Sequence, residues 1–292
     1  MRGDGNGWVE CADGHRHWGR HGAAGLLLYT VDDTGQARVL MQHRAEWTHN
    51  GGTWGIPGGA RDSHEDACTA ALREAQEETA IDTGQVVVAE VQREDHRTWS
   101  YDTVVAHTAR PLPTVPNDES AELRWLPLAD VSVLDLHPGF ARSWPSVTAT
   151  PTRLVVDLAN VVGTQPFRYV EQGWWRDRLG ATRSALAELA GLRGQVTRSG
   201  SGELIVICEV VAVVEGAARP AAPTRSEWLR VVAAPGSGDD TVVSTTIELV
   251  STGATAVVTS DHGLRTRLPQ EVGRESPEWL LERSGLRYGP RP

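Results

Sequence analysis

The stretch that most restricts how this 292-residue chain can fold lies between residues 50 and 81. A glycine-rich loop over residues 50–60 runs into Ser63-His64-Glu65-Asp66, where Ser63 can cap a helix and Asp66 can reach back as in a capping box. Helix is then expected to about Thr79. Its small residues Ala67, Ala71 and Ala75 recur at i, i+4 and i+8, so one face can lie close against a sheet. Strands for such a sheet are legible on both sides. Apolar runs at residues 22–29 and 37–42, separated by Asp32-Asp33-Thr34-Gly35, read as a hairpin. Strand-like runs follow at 86–91, 103–108 and 122–126, with a short helix near 139–144.

The same helix carries Arg73-Glu74-Ala75-Gln76-Glu77-Glu78, so that Glu74, Glu77 and Glu78 project together at i, i+3 and i+4. Like charges at this spacing destabilise an isolated helix by ~0.2–0.5 kcal/mol, and no basic residue follows to relieve them. A cation from solution would. Clusters made only of oxygen suit hard ions such as Mg²⁺ or Mn²⁺, which stay partly hydrated and bridge to phosphates. Taken alone, the triplet also reads as a solvated acidic face.

The upstream spacing weighs against that reading. Gly59, five residues, Glu65, seven residues, then Arg73-Glu74-Ala75-Gln76-Glu77-Glu78-Thr79-Ala80-Ile81 closely resembles the Nudix box. Arg44 and Gly52-Thr53-Trp54-Gly55-Ile56-Pro57-Gly58-Gly59 resemble the strand and loop that precede it. The resemblance covers residues 20–145 and implies a mixed-sheet α/β/α sandwich with the box as loop, helix and loop. It further implies Gly59 (through its carbonyl), Glu74, Glu77 and Glu78 as metal ligands, with Arg73 completing the catalytic group by orienting Glu65 or the box loop. The base is then Glu77 or Glu78, or a later-loop carboxylate, Glu119 or Glu122. Arg44 is the expected phosphate contact, with an exposed salt bridge as its alternative. One position departs: the box glycine is Ala80, which can take the left-handed conformation at a cost of ~1 kcal/mol. Trp47, Trp54, Trp99 and Tyr101 could stack on a base, although most of the eleven tryptophans must serve packing.

Charge bounds the alternatives. The chain has no lysine, so all 28 basic residues are arginine, which excludes a Walker-type phosphate loop, a Schiff-base enzyme and a lysine general base. Residues 1–150 hold 22 acids against 12 arginines and residues 151–292 hold 16 against 16, so neither half has the basic excess of a nucleic-acid binder. No apolar stretch reaches the ~18 residues needed to cross a bilayer and none opens the chain, from which a soluble, cytoplasmic protein without membrane partners is expected. Cys11, Cys68 and Cys208 are too scattered for a disulfide framework. Cys11, His15, His17 and His21 offer C-x₃-H-x-H-x₃-H, a spacing that matches no closed four-ligand zinc pattern.

Residues 146–152, polar and proline-containing, separate two patterns, giving expected domains at 1–148 and 152–292. The second half reads as strand (153–156), helix (176–192), strands (204–214, 229–233), helix (from Asp239), strand (256–259) and helix (277–284). Such alternation argues for a parallel sheet covered on both faces. Asp157, Glu215, Asp239, Asp240 and Asp261 follow strand ends or start helices, and parallel strands end on one common edge, where ligands sit. An aspartate there also caps the next helix. The segments from Val155 to Gly163, with Asp157 and Asn160, and Thr259-Ser260-Asp261 resemble the PIN-like nucleases of the NYN group. That resemblance implies Asp157, Asn160, Asp239 or Asp240, and Asp261 at a metal site, with Glu215 beside them. Arg176, Arg178 and Arg183 are the modest basic cluster that RNA could meet.

The leading expectation is therefore a Mg²⁺- or Mn²⁺-dependent pyrophosphohydrolase acting on a nucleoside diphosphate linked to another group, such as ADP-ribose or a modified nucleotide, joined to a PIN-like domain. The alternatives are a PIN-like ribonuclease whose first half senses a nucleotide, and a non-catalytic nucleotide-binding regulator.

Overall fold

A computed structural model describes residues 3–12, 14–164, 175–222 and 229–284. The chain divides into two compact units, Met1–Ala149 with Gly194–Thr197, and Thr150–Arg193 with Arg198–Pro292.

In the first unit, β1 (Trp8–Glu10) and β2 (Arg16–Trp18) pair as an antiparallel ribbon within what reads in sequence as a polar leader. The main sheet comprises β3 (Ala23–Val31), β4 (Ala37–Arg44), β5 (Trp54–Gly55), β6 (Gly58–Ala60), β7 (Val87–Asp95), β8 (Ser100–His107) and β9 (Ser120–Pro127). Its main order is β5–β4–β3–β8–β7, with β6 also on β3 and β9 on β4. β3 and β8 run parallel and the other pairs antiparallel, which makes the sheet mixed. The β3–β4 hairpin turns where expected: Asp32 Oδ1 accepts from the N–H groups of Thr34 and Gln36, and Gly35 takes φ 81°.

All nine residues of β3 are buried, as a strand covered on both faces requires. On one face Ala24, Leu26 and Leu28, with Val104 and Ala106 of β8, share a core with Ala67, Ala70, Ala71 and Ala75 of α1 (Ala67–Thr79). The alanine stripe therefore does what its period suggested. Two further helices, α2 (Leu128–Val131) and α3 (Pro138–Val147), complete the unit. The Tyr29 hydroxyl, fully buried on β3, donates to the Val147 carbonyl at 2.8 Å and fastens the end of α3.

One local expectation is corrected. Asp66, not Ser63, caps α1, its side chain accepting from the Thr69 N–H at 2.7 Å. Ser63 is instead engaged by Asp4, through its N–H at 2.9 Å and its hydroxyl at 2.6 Å. In the polar stretch 146–152, α3 runs to Val147 and the next strand starts at Thr150.

The second unit contains β10 (Thr150–Asp157), α4 (Leu158–Gly163), α5 (Arg178–Leu189), β11 (Leu204–Val214), β12 (Leu229–Ala233), α6 (Gly238–Val250), β13 (Thr255–Val258), α7 (His262–Arg267), β14 (Gly273–Glu275) and α8 (Pro277–Arg283). These strands lie in the order β12–β11–β10–β13–β14, every neighbouring pair parallel. Alternate residues of β10 feed two cores. Leu154 and Val156 pack with α4, α5 and α8, while Val155 packs with Val242 and Leu249 of α6 and Leu264 of α7. Strand β14 has no apolar alternation and gave no sequence signal. Arg176 lies before α5, so only Arg178 and Arg183 of the basic cluster are on that helix.

Candidate active site

The glycines before α1 exist because backbone passes close to backbone. A Cβ on Gly58 would lie 2.5 Å from the Ala24 carbonyl oxygen and from Gly25 Cα, and one on Gly59 would lie 2.6 Å from the Glu74 carboxyl. Packing β6 onto β3 at this distance brings the loop directly over the glutamates of α1.

Arg73 is the brace of the site. Its guanidinium bonds Glu65 through Nε at 2.7 Å and Nη2 at 2.9 Å, donates to the Ala60 carbonyl at 3.0 Å, and reaches Glu74 at 2.8 Å. Glu77 lies 3.6 Å away. The Arg73 hydrogen bond is the main cause of a lowered Glu65 pKa, while hydrogen bonds to Glu65 and Glu74 raise the pKa of Arg73. Arg73 thus holds Glu65 and the loop, and it relieves the glutamate repulsion from within the chain, a role that its place before Glu74 concealed.

The three box glutamates occupy different environments. Glu78 is buried and its Oε2 accepts from the Gly58 N–H at 2.8 Å. Burial pushes its pKa up to about 8, Glu74 and Glu119 add to the rise, and the Gly58 N–H and Arg44 oppose it. Glu74 is also raised, by burial first, with Arg73 pulling it back. Glu77 is the exposed member, its side chain 60% accessible. Buried carboxylates that repel one another, with the adjacent arginine already bound to Glu65, form an oxygen donor set that a divalent cation fits. Glu74, Glu77, Glu78 and the Gly59 carbonyl could hold it.

These residues floor a cleft of about 1190 Å³ that Arg44, Glu119 and Trp47 also line. Arg44 donates to the His49 carbonyl at 3.2 Å and makes no ion pair among the described residues, so its exposed-bridge alternative is not what the structure forms. Of the two later-loop acids, Glu119 faces the glutamates electrostatically, whereas Glu122 pairs with Arg124 and is not part of the cleft wall. Trp99 and Tyr101 line the cleft, but Trp54 stacks on His43 at 4.8 Å outside it. Sequence reasoning missed His137. It lines the cleft and caps α3, accepting from the Gly139 N–H at 3.2 Å, and burial pushes its pKa down to about 4. A helix cap was its only signal.

The sheet-edge acids of the second unit are partly gathered. Asp157 caps α4 through the Asn160 N–H at 3.2 Å and accepts from the Thr259 hydroxyl at 2.9 Å. Burial raises its pKa, and the charges of Asp239 and Glu215 add to the rise. Asn160 Oδ1 accepts from the N–H and hydroxyl of Ser260 at 2.8 and 2.9 Å. Glu215 accepts from the Gly238 N–H at 2.8 Å. Asp240 turns away to Arg267, and Asp261 caps α7 through the Leu264 N–H at 2.7 Å.

Comparison with known proteins accords with the first unit's chemistry. The NUDIX domain profile matches residues 19–147. A putative 8-oxo-dGTP diphosphatase 3 of Mycobacterium tuberculosis is 52% identical over 157 residues, covering 52% of this chain and 72% of that protein. A nucleoside triphosphate pyrophosphatase/Nudix hydrolase fusion protein of Bifidobacterium longum is 43% identical over 152 residues, 50% of this chain and 31% of that one. The crystal structure of a Nudix hydrolase from M. smegmatis, RenU, shares 51% identity, covers 49% of this chain and 92% of that chain, and has a TM-score of 0.46. The class is a hydrolase acting on phosphoric anhydrides. Within it, the chain belongs to the Nudix family.

Proposed function

We propose that the chain hydrolyses a nucleoside diphosphate linked to a further group, with Mg²⁺ or Mn²⁺ bound by the Gly59 carbonyl, Glu74, Glu77 and Glu78. The observation that carries this reading is the gathering of those three carboxylates under the Gly58–Gly59 loop, Glu78 buried and Glu74 half-buried, both raised in pKa. A bound divalent ion supplies charge neutralisation on the diphosphate and a more acidic water. The chain's own residues do the rest. Arg73 fixes Glu65 and the loop, Arg44 takes a phosphate oxygen, and Glu77, the accessible carboxylate, accepts the proton of the attacking water as a P–O bond to the bridging oxygen breaks, with Glu119 as the alternative acceptor. Trp47 or Trp99 on the cleft wall offers a face to the leaving nucleoside. The name of the M. tuberculosis relative makes an oxidised nucleoside triphosphate one member of the substrate panel.

The test is Mg²⁺-dependent product release from ADP-ribose, NADH, dinucleoside polyphosphates and oxidised nucleoside triphosphates, beside a single-stranded RNA. Turnover of one anhydride, lost in Glu77→Gln, supports the reading. Cleavage of RNA with every anhydride untouched replaces it by the second reading, a PIN/NYN-like ribonuclease domain over residues 152–292 with the Nudix domain, residues 1–148, sensing a nucleotide. That second reading is supported by Asp157, a carboxyl raised in pKa by burial first and, to a smaller extent, by the charges of Asp239 and Glu215, and Asp157→Asn should then abolish RNA cleavage. Nucleotide binding without turnover of any substrate would leave a regulator.

A further inference from the structure

The sequence spacing around Cys11 does not close a zinc site, but the fold brings in a ligand that the spacing could not show. Cys11 is 4% exposed, in the turn between β1 and β2. His17 lies on β2, and His96 directly follows β7 in the β7–β8 turn. Each of the three offers one ligand atom, and these atoms lie within 4.8 Å of one another. His15 and His21 are not in the group; His21 faces Asp4 at 3.8 Å.

A second observation points to a ligand. His17 Nε2 is shut off from solvent and has no hydrogen-bond partner, an unfavourable state for a buried polar atom. Its ring cannot easily turn to find one, because it lies stacked on Trp99 at 4.1 Å and 11°, with the His96 ring 4.6 Å away. Trp99 is held in turn by its indole N–H, which donates to the Gly19 carbonyl at 2.9 Å. His96 has one nitrogen, Nε2, at 3.1 Å from Glu94 Oε1, the carboxylate support that metal-binding histidines use, which leaves Nδ1 for a metal.

We propose that Cys11, His17 and His96 bind a zinc ion, with water or a group in the cleft at the fourth position. A thiolate and two imidazoles suit Zn²⁺ at tetrahedral geometry and do not suit Mg²⁺. The ion ties the β1–β2 ribbon to the β7–β8 turn. His17 and His96 both line the cleft, so the metal stiffens part of its wall without belonging to the oxygen cluster of the box glutamates. The proposal is independent of the hydrolase reading because its readout is metal content and not turnover.

The experiment uses the untagged full-length chain, desalted and freed of loose metal on a chelating resin, with zinc measured by plasma emission. After stronger chelation, Co²⁺ is added and the absorption spectrum recorded. A single retained zinc per chain, and a thiolate-to-cobalt charge-transfer band with intense tetrahedral visible bands, are expected. Cys11→Ser and His96→Asn should each weaken zinc binding by more than about 100-fold, beyond what loss of a supporting partner costs. His21→Asn, and the pair Cys68→Ser with Cys208→Ser, should leave zinc and the cobalt spectrum unchanged. Absence of retained zinc together with absence of the charge-transfer band overturns the proposal, as does wild-type zinc content in folded Cys11→Ser. Should Cys11→Ser fail to fold, the cobalt spectrum of the Cys68→Ser, Cys208→Ser chain decides alone, because Cys11 is then its one thiol.

Discussion

Glu74, Glu77 and Glu78 reach their places within the thirteen residues of α1, whereas Asp157, Glu215 and Asp239 arrive after three different strands of the second unit. In both places burial and neighbouring acids raise a carboxylate, Glu78 in one and Asp157 in the other. The difference is in what else each acid does. Asp157 and Asp261 cap helices, Glu215 receives the first N–H of α6, and Asp240 pairs with Arg267. Each of those has a local structural bond that explains it. Glu77 has only a 3.6 Å approach to Arg73 and lies open to the cleft. An acid without a structural duty is the more informative one: α1 supplies Glu77, and Asp239, which makes no such bond among the described residues, is its counterpart beside Asp157.

The sharpest way to break that comparison is to neutralise one acid in each group. Glu77→Gln and Glu78→Gln should each lower kcat/KM for the anhydride substrate by ~10³-fold or more, since charge stabilisation by a held cation amounts to several kcal/mol. Asp157→Asn should leave that parameter unchanged, and its amide oxygen can still cap α4. A drop of similar size in Asp157→Asn would put the second group in the anhydride chemistry and dissolve the distinction.

Next in size is the brace. Glu65 is 5% exposed and depends on the Arg73 guanidinium for its charge. Arg73→Met leaves that carboxylate buried and unpaired, and should cost ~3–5 kcal/mol of stability, read from urea unfolding. Asp240 is the contrast in the second unit: Asp240→Asn, which breaks the exposed pair with Arg267, should change stability by less than ~1 kcal/mol.

The acidity of Glu78 gives a test by pH. Its folded-state pKa of about 8 lies above the ordinary glutamate value of 4.5. Between those values the folded chain holds a proton that the unfolded chain has lost, so in the presence of a chelator the Glu78 contribution is fully present below 4.5 and is lost as pH rises through 8. The effect on thermal stability is on the order of a few kcal/mol. Glu78→Gln should flatten the slope, and Mg²⁺ should restore stability at the alkaline end. His107 and His137, both depressed to about 4 by burial, act oppositely: their contribution is present above the ordinary histidine value of 6.5 and is lost as pH falls toward 4. The two opposing slopes overlap between 4.5 and 6.5, so the Glu78 effect is read alone above 6.5.

What the sequence discloses follows the range of the interaction. Ala67, Ala71 and Ala75 and the three glutamates obey the helical period, which needs no tertiary information, and the box offsets bring Gly59 and Glu65 to the same place. The Asp66 cap was blurred because Ser63 satisfies the same local rule, and only the distant Asp4 removes it. His96 is 79 positions from His17 and comes beside it only because the β7–β8 turn folds back against the ribbon. Likewise nothing in Asp239-Asp240 says which carboxylate faces Asp157; the helix direction of α6 and the location of Arg267 decide it.

The smallest effect concerns where helices end, and it again sets one unit against the other. At the end of α1, Ala80 stands at φ 57° and ψ 21°, its N–H donating to the Gln76 carbonyl at 2.9 Å. The left-handed region costs an L-residue roughly 1–2 kcal/mol, partly offset by the extra freedom glycine has in the unfolded chain. Ala80→Gly should therefore stabilise the first unit by up to ~1 kcal/mol. At the end of α6, Ser251 keeps right-handed values, φ −65° and ψ −16°, and its hydroxyl donates to the Glu248 carbonyl at 2.7 Å. Ser251→Gly relieves nothing there, loses that bond and adds unfolded-state entropy, so it should destabilise by ~0.5–1 kcal/mol. Urea midpoints at constant m-value give both signs. A loss of stability in Ala80→Gly would mean that the alanine methyl is held by contacts outweighing the backbone strain, and the left-handed cap would then be imposed by packing and not tolerated despite it.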